Sequence, residues 1–129
     1  METSILKTIR QMIGPSASYD VFDTDLIVHI NSTFSRLCQL GVGSVIAPFK
    51  ITGESETWDD FINWNGPNNE SDTIVSATLS NIIDDVKQYI ALKVRMLFDT
   101  PASGTVANAL QAQIDQQEWL LKEVARFGY

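Results

Sequence analysis

The chain has 129 residues, 44% of them hydrophobic and 19% charged, with a formal net charge of −7 and a single cysteine. This is long enough for one domain, 1–129, to bury a core without metal or disulfide staples, and no apolar run approaches the roughly 18 residues of a membrane span. One cysteine excludes an internal disulfide, and the acidic balance argues against a surface that grips phosphate.

The first predicted helix, about 3–13, places Ile5, Leu6, Ile9, Met12 and Ile13 on one face, with Lys7, Arg10 and Gln11 outside. The same stretch lacks a long apolar region and a small-residue cleavage site, so it reads as an amphipathic helix and not as a signal peptide. An intracellular origin is the expectation. Gly14 and Pro15 stop this helix, because the residue before proline avoids the helical region.

The second helix, about 23–41, is the element around which the rest is expected to organise. Asp23, Thr24 and Asp25 suit its start as caps and as charges facing the helix dipole. Phe22, Leu26, Ile27, Ile30, Phe34, Leu37 and Cys38 recur at three- and four-residue steps, and Gly41 and Gly43 end the pattern. Cys38 on this stripe is read as a buried thiol.

Residues 44–52 have a β-branched and aromatic character interrupted by Pro48, which predicts an irregular loop or a small hairpin. A short helix follows at about 57–63, with Thr57 as cap, acids in its first turn, and Trp58, Phe61 and Ile62 on one face. Residues 65–71 are turn chemistry. The third main helix is expected at about 73–98. Ile82, Ile83, Val86, Tyr89, Ile90, Val94, Leu97 and Phe98 form its stripe, and Lys93 lies inside it with its ammonium carried past the core edge.

The last helix, about 104–127, has one face made by Val106, Leu110, Ile114, Leu121 and Val124, widened by Trp119 and Leu120. The sum is an all-α fold: a small bundle of four main helices plus one short helix, with the irregular loop or hairpin between the second and third main helices.

Charge is segregated along the chain. Between residues 51 and 86 there are eight acids (Glu54, Glu56, Asp59, Asp60, Glu70, Asp72, Asp84 and Asp85) and no lysine or arginine. That stretch is either a solvated face or one that meets a partner or repels nucleic acid.

Catalytic and metal constellations are missing. His29 is the only histidine, so neither a histidine metal cluster nor a Ser-His-Asp arrangement can form within one chain. Asp59 with Asp60 and Asp84 with Asp85 are sequence neighbours, which point about 100° apart on a helix and do not converge on a metal. No Walker lysine or basic recognition helix exists. The chain is predicted not to be an enzyme and to need no cofactor or metal. Its pattern also permits a small acidic helical interaction or regulatory protein that binds a single protein partner.

Particular residues then carry a resemblance. Phe22 to Ile27, His29 to Ser32, Gln39 to Gly43, Trp58 to Phe61, Tyr89 to Pro101, Ile114 with Asp115, and Glu118 with Trp119 resemble, in this order, the head–tail connector (adaptor or head-completion) proteins of long-tailed double-stranded-DNA bacteriophages. Residues 65–80 depart from that pattern, being longer and more polar. The resemblance implies a structural virion protein, made in the host bacterial cytoplasm and located at the head–tail connector. It would form a ring of about twelve copies beneath the portal, its subunits joined head to tail. Its partners would be the portal protein, a stopper or tail-completion protein and further copies of itself. DNA would pass through the channel without sequence-specific binding, and no membrane is involved.

Within that reading three residue sets are candidates. Glu54, Glu56, Asp59 and Asp60 are candidate channel-facing acids, where like charge keeps DNA from sticking. Phe49, Ile51 and Trp58 form either a subunit interface or the packing beneath their own loop. Lys122, Arg126, Phe127 and Tyr129 are the candidate portal contact, since the C-terminal segment of similar connectors tends to engage the portal.

Overall fold

The structure, a computed structural model, describes residues 4–13, 23–42, 48–64, 79–98 and 104–128, without the side chains of residues 98 and 125–128. Five helices are named here in chain order: α1 (Ile5–Ile13), α2 (Asp23–Leu40), α3 (Trp58–Ile62), α4 (Ile83–Phe98) and α5 (Gly104–Gly128). The fold is all-α. Among the described residues the extended contact is limited to one antiparallel bridge, between Ser4 and Thr57. The described part of the expected loop or hairpin, residues 48–57, is therefore an extended loop.

Local chemistry fixes the helix ends. Ser4 Oγ accepts from the Lys7 N–H at 3.3 Å and starts α1. At the end of α2, Gly41 takes φ 84°. Its N–H donates to the Cys38 carbonyl at 3.1 Å, and the Val42 N–H donates to the Leu37 carbonyl at 2.9 Å. That pair of bonds is a Schellman closure, sealed by burial of both Val42 and Leu37. α3 opens with the expected Thr57 cap, and Asp60 returns the bond to the Thr57 N–H at 2.9 Å, completing a capping box.

Of the expected helix 73–98, residues 79–81 are helical, residue 82 makes a turn and α4 follows; residues 73–78, like Phe22, Gly43 and Tyr129, lie outside the described residues. α4 packs most extensively, against α5, α2 and α1, while α2 also meets three helices, α4, α1 and α5. Its buried set of Val86, Tyr89, Ile90, Ala91 and Val94 wraps more than one stripe. A helix that touches three others must be apolar around most of its girth.

Around α4 the core gathers Ile5, Leu6 and Ile9 from α1, and Leu26, Ile30, Phe34 and Leu37 from α2. Leu79 precedes α4, and Leu110, Ile114 and Leu121 come from α5. Burying a side chain of this size contributes about 1.5–3 kcal/mol. Five residues expected on the apolar faces are exposed: Met12, Leu97, Val106, Trp119 and Leu120. Regular helical spacing thus extends these stripes beyond the part that the bundle buries.

Candidate assembly surface

Two polar devices position the surfaces of this bundle. The first docks residues 48–64 onto α1 and α2. Asn31 of α2 brackets the backbone of Ile51: its Nδ2 donates to the Ile51 carbonyl at 3.0 Å, and its Oδ1 accepts from the Ile51 N–H at 2.7 Å. An amide side chain has one donor and one acceptor in the right places to imitate a neighbouring strand. Below it, Phe34 meets Phe49 edge-on at 5.3 Å and Phe61 at 4.9 Å, while Phe49 meets Trp64 at 5.8 Å. Such geometries are favourable beyond the area they bury.

At the α1 end, the Ile5 N–H donates to the Glu56 carbonyl at 3.1 Å. Trp58 Nε1 donates to Thr8 Oγ1 at 3.1 Å, and that hydroxyl donates to the Ser4 carbonyl. Arg10 ties three segments together, with Nη2 at 2.7 Å from Asp23 Oδ1 and 3.2 Å from Glu54 Oε1. Burial works against the Arg10 charge, but hydrogen bonds and attraction from Asp23 and Glu54 outweigh it and raise its pKa. Lys87 of α4 lies 5.4 Å from the centre of the Trp58 ring, linking α3 to the start of α4.

These contacts place two of the candidate sets. Phe49, Ile51 and Trp58 are all buried within the chain's own core, the packing alternative. Of the four candidate acids, Glu54 pairs with Arg10 and lies 3.9 Å from Lys7. Glu56 accepts from the Thr52 hydroxyl at 2.7 Å and from the Thr52 N–H at 3.0 Å. Burial raises the Glu56 pKa, but those bonds and one from the Gly53 N–H dominate and hold it below the usual carboxylate value. Asp60 is committed to the cap of α3, and Asp59 is exposed. The four acids do lie together on one short stretch beside α1.

The second device holds α5. Glu118 Oε1 accepts from Arg36 Nε at 3.2 Å and Nη2 at 3.0 Å, and Glu118 Oε2 accepts from the Tyr89 hydroxyl at 3.1 Å. Lys93 Nζ stands 3.9 Å from the same Oε2. One carboxylate thus joins α2, α4 and α5. Burial pushes the Tyr89 pKa well above the ordinary tyrosine value, with further push from the charge and hydrogen bond of Glu118, against a smaller pull from Arg36. Sequence reading named Lys93 and Glu118 separately and missed the node. The available signal was a buried-stripe tyrosine with a lysine four residues on, which needs an anion beside it.

Around the node, Ser32, Ser35, Arg36, Gln39 and Lys93 line a cleft of about 280 Å³ between α2 and α4. A smaller one of about 190 Å³ lies between α4 and α5, lined by Arg95, Val106, Ala109, Leu110 and Gln113. On α5, Trp119 is 61% exposed and Leu120 42%, and Val106, at the rim of that cleft, is 50% exposed. Lys122 is exposed on the same helix, while the side chains of Arg126 and Phe127, and Tyr129 altogether, lie outside the described residues. Among the described residues no group of three or more His, Cys, Asp or Glu comes together to hold a metal, and no helix is long and apolar enough to cross a membrane.

A family model described as "Phage connector protein" matches residues 5–126. No curated protein and no solved structure matches the chain.

Proposed function

The chain belongs to the phage connector protein family, a family of structural proteins, and we propose that it acts as a ring beneath the portal that joins the DNA-filled head to the tail or stopper and forms part of the DNA channel. The observation that carries this is the extent of the family match, from the first residue of α1 to within the last turn of α5. In this reading residues 1–129 act as one connector domain, and copies associate head to tail so that rotation closes the ring.

The acids Glu54, Glu56, Asp59 and Asp60 face the channel, where their sign keeps passing DNA from adhering. Three of them also hold their own loop, so the same charges serve fold and channel. The segment with Lys122, Arg126, Phe127 and Tyr129 contacts the portal. The stopper or tail-completion protein binds the opposite side, and the assembled protein resides in the virion.

The test is light scattering on a sizing column, with the protein alone and mixed with the cognate portal. A stable complex with many copies per portal ring supports the connector ring. A monomer that ignores the portal overturns it and favours an acidic helical regulator with a single protein partner. Deleting residues 126–129 is expected to abolish portal binding while leaving the far-UV circular dichroism unchanged; undiminished binding removes the tail from the contact.

A further inference from the structure

Resting on the ring reading above, we infer that the α2–α4 cleft is the socket that receives the acidic start of α4 from the neighbouring copy. The cleft is lined by two cations and three neutral polar side chains: Arg36, Lys93, Ser32, Ser35 and Gln39. Arg36 and Lys93 share a single carboxylate, Glu118, so the cleft keeps an excess positive charge. Arg36 remains 44% exposed at its side chain and Lys93 29%, which leaves donors facing the opening. Its volume of about 280 Å³ admits one or two carboxylate side chains.

The complementary group is on the same chain. Asp84 and Asp85 are exposed in the first turn of α4 and make no ion pair among the described residues. Lys93 follows them by eight or nine positions, which the helical rise converts to about 12–14 Å. That exceeds the screening length of about 8 Å at physiological ionic strength. The acidic start and the basic cleft therefore do not neutralise one another within a subunit, and two ends of one helix carry opposite sign. A chain whose net charge is −7 repels its own copies unless they meet with unlike patches facing. A head-to-tail contact, in which one patch meets a different patch, is the arrangement this charge pattern favours.

The experiment uses full-length protein bound to the cognate portal, with copies per portal ring read by light scattering at several salt concentrations. S32D/S35D places two negative charges in the cleft without touching the Glu118 node, and D84K/D85K reverses the acidic patch. Circular dichroism first establishes that both fold. Each is expected to lower the apparent assembly affinity by about tenfold or more, and the chain carrying all four substitutions is expected to recover it, because its patches are complementary again. Wild-type-like assembly by both double variants overturns the socket and leaves the connector ring standing. Loss of assembly without recovery in the fourfold variant also overturns it. A wild-type chain that never binds the portal removes the ring reading itself, and the socket with it.

Discussion

Residues 48–64 and helix α5 both lie against the α2–α4 framework, but they are fastened by opposite means. The loop is held by directional bonds and rings: Asn31 to the Ile51 backbone, Trp58 to Thr8, Arg10 to Glu54, and the Phe34, Phe49 and Phe61 cluster. Phe49, Ile51, Trp58 and Phe61 all turn inward. α5 is far longer, yet it buries only Leu110, Ile114 and Leu121 among its described apolar residues of that size, and it relies on the Glu118 node for a polar anchor. Its tryptophan and Leu120 turn outward. Irregular backbone has to have its N–H and C=O groups satisfied from outside itself, whereas a helix satisfies its own and leaves side chains free to face another chain.

The largest effect that sharpens this contrast is in the ring cluster. Phe34→Ala removes the ring that touches both Phe49 and Phe61, and is expected to cost about 3–5 kcal/mol in chemical denaturation. A loss below that of a typical α5 variant would break the comparison. Glu118→Gln is intermediate, at about 1–2 kcal/mol, since Arg36 is substantially exposed and its pairing is screened. This variant also carries a pH signature. Tyr89 has a raised pKa in the folded chain, so its contribution is fully present below about pH 10, the ordinary tyrosine value, and is lost as pH rises through the raised native value. Glu118→Gln removes part of that elevation, so its alkaline loss of stability is expected to level off at lower pH and to total less than that of the wild type in denaturant titrations from pH 9 upward. A loss as large as that of the wild type would assign the Tyr89 shift to burial alone. Smallest is Trp119→Ser, expected within ~0.5 kcal/mol of wild type. A drop of several times that size would mean the indole packs on its own chain.

Much of this was legible from single residues with local work to do. Gly41 ends α2, Thr57 caps α3 with acids in its first turn, and Lys93 carries its ammonium past the edge of an apolar stripe. These are decisions within one turn of helix, and side-chain chemistry settles them. The pairing of Asn31 with Ile51, twenty residues away, and of Arg36 with Glu118, eighty-two away, leaves no periodic trace. The same holds for α5. Its apolar residues lie nearly all round, and only the position of α4 and α2 selects Leu110, Ile114 and Leu121 over Val106, Trp119 and Leu120. The lead of α4 over α2 followed from the same source: both have clear stripes and both meet three helices, and how closely each packs on them is a tertiary fact.

The Asn31 bracket has one further consequence. Extended backbone exposed at the surface is a template on which another chain can add a strand, and proteins crowded at high local concentration are most at risk of aggregating by that route. By closing both hydrogen-bonding groups of Ile51 with a side chain from its own helix, the fold presents no open strand edge there. In the proposed ring, copies could then associate through chosen patches without their loops stitching into a sheet.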